Sequence, residues 1–450
     1  MAVTTKHHEI KPQNVHEILG EHILTDGFDM VVDLEKSHGA YTYDSLHNRQ
    51  MLDFFTSFAT IPIGNNHPKM LGDEEFKERL LEAAISNPAN SDLYTTHYAR
   101  FLQTFGRVGI PDYLPNSFFI AGGSLAIENA MKVAMDWKVQ KNFEKGYVCP
   151  KGMKVLHFRE AFHGRSGYTL SVTNTDPNKT KWFEKFHDWP RVLNPKIHFP
   201  LTDDKLAELE KHENLAARQI ERAFIEMRDD ICAILIEPIQ GEGGDNHFRP
   251  EFMARLRQLA DEHEAMLIYD EVQVGMGCTG TFWCHEQFGE AARPDIVAFG
   301  KKMQVCGILV SDRVHEVEHN VFRQSSRINS TWGGNLVDMV RVDRIMEIME
   351  EDNVLQNVQQ QGKHLQNRLH EMAESHEAVT NVRGRGLICA FDLPNSHARD
   401  EFIRRGREHN VIFLGCAERS IRFRPTLTIT AAEIDQGIQV MDTVLKEMGH

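Results

Sequence analysis

The chain has 450 residues, more than one compact domain usually holds, and its 41% apolar and 26% charged residues describe a globular protein. A formal net charge of -15 argues against a nucleic-acid surface, which needs clustered Lys and Arg, although a few buried arginines can still govern one anionic pocket. No stretch approaches the roughly 18 apolar residues of a membrane span; the opening MAVTTKHHEI predicts no signal peptide, and seven scattered cysteines without a CxxC pair predict reduced thiols in a cytoplasm.

In chain order, residues 1–75 read as irregular, with turn signals at Ser37-His38-Gly39 and Gly64-Asn65-Asn66-His67-Pro68. A helical pattern follows over 75–86. From about 115 to 310, short apolar runs alternate with longer amphipathic stretches. The runs are Phe118-Phe119-Ile120, Val155-Leu156-His157-Phe158, Cys232-Ala233-Ile234-Leu235-Ile236, Ala265-Met266-Leu267-Ile268-Tyr269 and Ile296-Val297-Ala298-Phe299. Each is strand-length and apolar on both sides, as in a buried parallel sheet. Helices between them, such as 251–263, complete βα units. After a boundary near 340 the order changes. Helical patterns over 336–375 precede strand-like pieces at 387–392, 411–414 and 421–423 and a last helix over 432–448, which suggests a separate α+β lobe.

Ligands of open α/β sheets bind beyond the carboxyl ends of the strands. Four strand ends here carry unusual residues. Ile120-Ala121-Gly122-Gly123-Ser124 leads into a helical pattern, so backbone N–H groups at Gly123 and Ser124 and the helix dipole could hold a phosphate. Ala161-Phe162-His163-Gly164-Arg165 offers Phe162 for stacking on a flat ring. Glu237-Pro238 opens the loop Gln240-Gly241-Glu242-Gly243-Gly244. Tyr269-Asp270-Glu271-Val272-Gln273 places Asp270 after a buried strand, where an unpaired carboxylate is expensive and a protonated pyridine nitrogen would offset the cost. The next strand ends in Phe299-Gly300-Lys301-Lys302, and a desolvated lysine there can lose its charge and form a Schiff base. Phosphate anchor, ring-nitrogen acid and aldehyde-binding lysine are the three parts that pyridoxal 5'-phosphate (PLP) requires.

The sequence resembles the class III (ornithine/GABA-type) PLP-dependent aminotransferases over nearly its whole length. The motifs are Glu237-Pro238-Ile239-Gln240-Gly241-Glu242-Gly243-Gly244, Asp270-Glu271-Val272-Gln273, Asp295-Ile296-Val297-Ala298-Phe299-Gly300-Lys301, Val382-Arg383-Gly384-Arg385-Gly386-Leu387 and Ile421-Arg422-Phe423-Arg424-Pro425. Phe299 to Gly307 and Asn329 to Asn335 resemble the branch that takes L-lysine as donor. The resemblance implies an α/β protein of PLP-dependent transferase fold type I, with a mostly parallel sheet flanked by helices in a large domain and a smaller α+β C-terminal domain. It implies an N-terminal segment over 1–75 packing with the small domain and the partner, a large PLP-binding domain over 76–340 and a small domain over 341–450. It also implies a homodimer with shared active sites.

By the same resemblance, Lys301 rather than Lys302 is the Schiff-base lysine and Asp270 the ring-nitrogen partner. Gly123, Ser124, Phe162, Glu237, Gln273 and, from the partner chain, Thr331 contact the cofactor. Arg165, Asn329, Glu242 and Arg422 bind substrate, with Arg422 taking the carboxylate of a 2-oxo acid and Glu242 neutralising it otherwise. The sequence departs from the family at Leu125, where a glutamate is common; at Val305-Cys306-Gly307, where a glycine run is usual; and at Thr426, where a second proline is frequent.

The implied reaction moves the ε-amino group of L-lysine to 2-oxoglutarate, giving 2-aminoadipate 6-semialdehyde, which cyclises, and L-glutamate. Ornithine, GABA or another ω-amine is the alternative donor. A PLP-dependent aminomutase would need no external acceptor, and a scaffold without chemistry is disfavoured by the presence of Lys301, Asp270 and Arg422. Metal catalysis is not expected: His16-Glu17-Ile18-Leu19-Gly20-Glu21-His22 places its histidines six apart, off one helix face.

Overall fold

A computed structural model describes residues 10–450; most of the opening stretch read for a signal peptide lies outside them. Its centre is a seven-stranded sheet in the order Asn116–Ile120, Cys306–Val310, Ile296–Phe299, Met266–Asp270, Ile231–Ile236, Lys154–Phe158, Arg191–Val192. Cys306–Val310 runs antiparallel to both neighbours and the remaining pairs are parallel.

Alternation along each strand divides the side chains between two cores. Met266 and Ile268 face one, with Ala233, Leu235, Ile296 and Ala298; Leu267 and Tyr269 face the other, with Ile234, Ile236, Val297 and Phe299. Both faces are therefore apolar, as a sheet covered on two sides requires. The first core also takes Ala126, Ile127, Ala130, Met131, Ala134 and Trp137 from the 22-residue helix Gly123–Glu144. Asp270 continues the parity of Met266 and Ile268, so it ends its strand on the side where that helix begins.

The helix expected over 75–86 runs Glu74–Ile85, that over 251–263 runs Pro250–Glu262, and 336–375 divides into Leu336–Glu351 and Val354–Ser375. A second sheet follows, antiparallel throughout, in the order Thr380–Arg385, Ile388–Asp392, Ser420–Phe423, Leu414–Cys416. The final helix, Ala431–Glu447, starts on a capping box between Thr430 and Glu433, which satisfies backbone donors at its exposed end.

The irregular reading of 1–75 needs correction. Strands Val32–His38, Tyr41–Asp44 and Arg49–Asp53 form a meander, and Arg49–Asp53 pairs in parallel with Val411–Ile412, more than 350 residues away. Val32–His38 is exposed at most positions, so it lacks the apolar alternation that marks a strand. Among the described residues, no helix is long and apolar enough to cross a membrane.

Candidate active site

Lys301 follows the strand Ile296–Phe299 and adopts φ +50°, a left-handed conformation uncommon for a residue with a Cβ. Burial, and next the Arg422 cation, pull its amine down to about 8, against the opposing pull of Glu242. An amine in that range is a usable nucleophile and base near neutral pH. Lys302 turns the other way. Its ammonium is buried and donates to the carbonyls of Ile61 (3.2 Å) and Pro425 (3.3 Å), so it ties three segments together.

Asp270 is 5% exposed. Its Oδ1 accepts from the Val272 amide (3.0 Å) and its Oδ2 lies 2.8 Å from Nδ1 of His163, which donates to it. Among the described residues no Lys or Arg forms an ion pair with Asp270; a cationic ring nitrogen would supply the missing charge. His163 stands next to Phe162 in a motif that by itself assigns it no task. Its contact with Asp270 spans 107 residues of chain, and no local signal reveals it.

The phosphate-type loop has the expected geometry. Gly122 precedes the helix Gly123–Glu144 with φ +109°, and no side chain caps the helix start. At Gly123 a Cβ would meet Val272 Cγ1 at 2.9 Å, so only glycine lets this turn close against the loop after Asp270. The Ser124 hydroxyl sits among Ser166 Oγ (2.5 Å) and Thr169 Oγ1 (2.7 Å). The uncapped helix start, the buried Asp270 and the depressed Lys301 amine fit the three anchoring needs of PLP.

Glu237 is buried and gives one oxygen to the Phe162 amide (2.9 Å) and the other to the Gly241 amide (3.0 Å). Burial, with Asp270 nearby, holds its carboxyl well above the usual range. Its contribution to the site runs through those two backbone groups, which fix Phe162 and the Gly241-Glu242 turn. Gln273 accepts from Arg422 Nη1 (3.2 Å). At Gly241 a Cβ would meet Gln273 Oε1 at 2.3 Å, so a side chain there would displace the Gln273 amide from Arg422.

Arg422 is 1% exposed, on the strand Ser420–Phe423, and one of its terminal nitrogens pairs with Glu242 Oε1. The other Glu242 oxygen accepts from Lys179 Nζ at 3.0 Å. Burial alone would raise the Glu242 carboxyl, but Arg422 and Lys179 outweigh it and bring it down to about 2. Lys179 also lies 5.4 Å from the centre of the Phe162 ring, in cation–π range.

Phe58 is another residue the sequence did not single out. Its ring centre lies 5.6 Å from Lys301 Nζ. It belongs to the run Thr56, Ser57, Phe58, Ala59 with φ of 42°, 52°, 58° and 70°, a left-handed turn built without glycine. Such a turn costs roughly 1–2 kcal/mol per residue, so its surroundings must hold it. Asp53 accepts from the amides of Phe55 (2.7 Å) and Thr56 (2.8 Å), Thr56 Oγ1 donates to the Arg424 carbonyl (2.5 Å), and Gln304 Nε2 donates to the Thr60 carbonyl (2.6 Å).

Two expected site residues, Asn329 and Thr331, lie apart from this cluster, and a third borders it. Arg165 is exposed beside it. Asn329 and Thr331 are exposed on a loop that Ser91 Oγ holds through the Ser330 carbonyl at 2.9 Å. Asn329 lines a cavity of about 300 Å³ with Asn90, Tyr94 and Phe118, none of which belongs to the Lys301 cluster.

The aminotransferase class-III family profile matches residues 25–445. The chain belongs to the class III aminotransferases. The aminotransferase depends on PLP, as the family does, and its two-sided sheet with an appended lobe is fold type I. It is 49% identical over 435 residues to the L-lysine-epsilon aminotransferase of Mycobacterium tuberculosis strain H37Rv, covering 96% of each chain. It is 48% identical over 439 residues to the L-lysine-epsilon aminotransferase of Amycolatopsis lactamdurans, covering 97% of this chain and 96% of the relative. Among solved structures, lysine aminotransferase from M. tuberculosis in the internal aldimine form superposes with a TM-score of 0.94 at 49% identity, covering 97% of this chain and 100% of that one.

Proposed function

We propose that this aminotransferase moves the ε-amino group of L-lysine to 2-oxoglutarate, forming 2-aminoadipate 6-semialdehyde, which cyclises to 1-piperideine 6-carboxylate, and L-glutamate. The bound PLP supplies an electrophilic aldehyde and an electron-accepting ring. The chain does the rest. Lys301 holds the aldehyde at rest. With the donor bound, the Lys301 amine would accept a proton from the ε-carbon and return one later in the same half-reaction. Asp270, oriented by His163, keeps a proton on the ring nitrogen. Phe162 covers one ring face, and the amides of Gly123 and Ser124 with the helix dipole hold the phosphate. Thr331 of a second copy completes that phosphate site, so the enzyme works as a homodimer; Arg165 and Asn329 hold the far end of the donor.

One observation carries the two-substrate reading: the Glu242 carboxylate pairs with Arg422 beside the Lys301 amine. Paired, the two present little charge to the aliphatic chain of lysine. Separated, Arg422 offers a bidentate clamp to the carboxylate of 2-oxoglutarate. The choice of lysine is supported by the identities near one half to lysine-epsilon aminotransferases. Free thiols at all seven cysteines suit a cytoplasmic location.

The decisive experiment follows single half-reactions of the PLP form with L-lysine, L-ornithine and GABA through loss of the cofactor's absorbance. Lysine is expected to convert the enzyme fastest. Conversion by ornithine or GABA with failure of lysine would overturn the donor assignment.

A further inference from the structure

Glu242 has two oxygens and two cationic partners, one for each. Arg422 holds Oε1 from the C-terminal sheet, and Lys179 Nζ reaches Oε2 at 3.0 Å from the other side. Lys179 ends the short turn Pro177–Lys179, whose start is fixed by Asp176 Oδ1 accepting from the Asn178 amide at 2.9 Å. Its side chain is one-third exposed and borders a cleft of about 960 Å³ that also reaches Glu242 and the second lobe at Arg399 and Ala417. The Phe162 face, 5.4 Å away, further restricts where the ammonium can go.

We propose that Lys179 is a positioning residue of the Glu242–Arg422 pair, holding Glu242 in place while Arg422 turns to a substrate carboxylate. This inference rests on the two-substrate reading above and adds to it. A largely buried carboxylate abandoned by its only cation is strongly disfavoured. With one cation on each oxygen, Arg422 can leave and Glu242 keeps a partner. The incoming carboxylate then pairs with Arg422, so in the open arrangement each of the two cations faces one carboxylate. Without Lys179, Glu242 would depend on Arg422 alone, and the open arrangement needed for 2-oxoglutarate would be penalised. The closed arrangement that receives lysine would suffer less.

The test compares wild type, Lys179→Met, Lys179→Gln and Lys179→Arg holoenzymes, with Lys179→Met also placed on a Glu242→Ala background. The readouts are the rates of the two half-reactions and the dissociation constant of glutarate, a non-reacting dicarboxylate, by calorimetry. In Lys179→Met and Lys179→Gln, the 2-oxoglutarate half-reaction and glutarate affinity should weaken roughly fivefold to tenfold more than the lysine half-reaction. Lys179→Arg should restore most of the difference, and on the Glu242→Ala background the selective effect should vanish. Equal weakening of both half-reactions, or the same selective loss without Glu242, would overturn the proposal. A Glu242→Ala enzyme with an unaltered balance between half-reactions would instead sink the switch itself.

Discussion

At the scale of single residues, adjacent lysines have opposite tasks. Lys302 donates to two carbonyls and is structural, whereas the Lys301 amine lies 5.6 Å from the centre of the Phe58 ring. Because burial and Arg422 lower the Lys301 amine to about 8, its neutral form grows as pH rises through that value and is nearly complete above it. An ordinary lysine, near 10.4, would still be mostly protonated there. Capture of PLP by the apoenzyme, followed by absorbance in stopped flow, should therefore accelerate with pH through a midpoint near 8 and level off about one pH unit above it. A rate still climbing between pH 9 and 10.5 would contradict that environment. Lys301, Asp270 and Glu242 stand in motifs at or just past strand ends, whereas Arg422, inside the strand Ser420–Phe423, was marked only by the family motif Ile421-Arg422-Phe423-Arg424-Pro425. Lys179 and His163 act through contacts with residues 63 and 107 positions away, which sequence spacing does not encode.

At the scale of elements, strand legibility followed burial. The five runs apolar on both sides became five strands of the central sheet. The antiparallel strand Cys306–Val310 was missed because it follows the lysine turn directly, and the N-terminal meander was missed because its first strand is mostly exposed. The left-handed turn Thr56–Ala59 was illegible for another reason: none of its four residues favours that conformation, and contacts to Asp53, Gln304 and the Arg424 carbonyl, with the turn's own backbone hydrogen bonds, hold it. Ser57 is exposed at φ 52°, so substitutions there probe backbone strain with little loss of packing. Ser57→Gly relieves about 1–2 kcal/mol of strain while adding roughly 0.5–1 kcal/mol of unfolded-chain entropy. Ser57→Val adds a β-branch where φ is positive. Thermal unfolding of the holoenzymes should find Ser57→Gly at least as stable as wild type and Ser57→Val clearly less stable. A valine variant that unfolds no earlier than the glycine variant would show that the turn carries no strain.

At the scale of the whole molecule, Lys301 and Thr331 of one chain stand in separate places, the one in a buried cluster and the other on an exposed loop beside the half-exposed Trp332. The exposed side chains of Leu93 and Tyr94 lie near the same loop, which Ser91 holds. A second copy covering this face would bury that apolar surface and bring Thr331 to the phosphate end of the neighbouring site. Subunit mixing tests the Lys301-centred shared site most directly. Lys301→Ala and Thr331→Ala enzymes are each purified, then mixed under conditions that dissociate and reassociate subunits, and transamination of lysine with 2-oxoglutarate is measured. Lys301→Ala alone should be inactive and Thr331→Ala impaired. Hybrids unite an intact Lys301 with an intact Thr331 in one of two sites, so the mixture should regain up to about a quarter of wild-type activity, more than its parts contribute separately. Full activity of Lys301→Ala alone, or a mixture that never exceeds the sum of its components, would contradict the account.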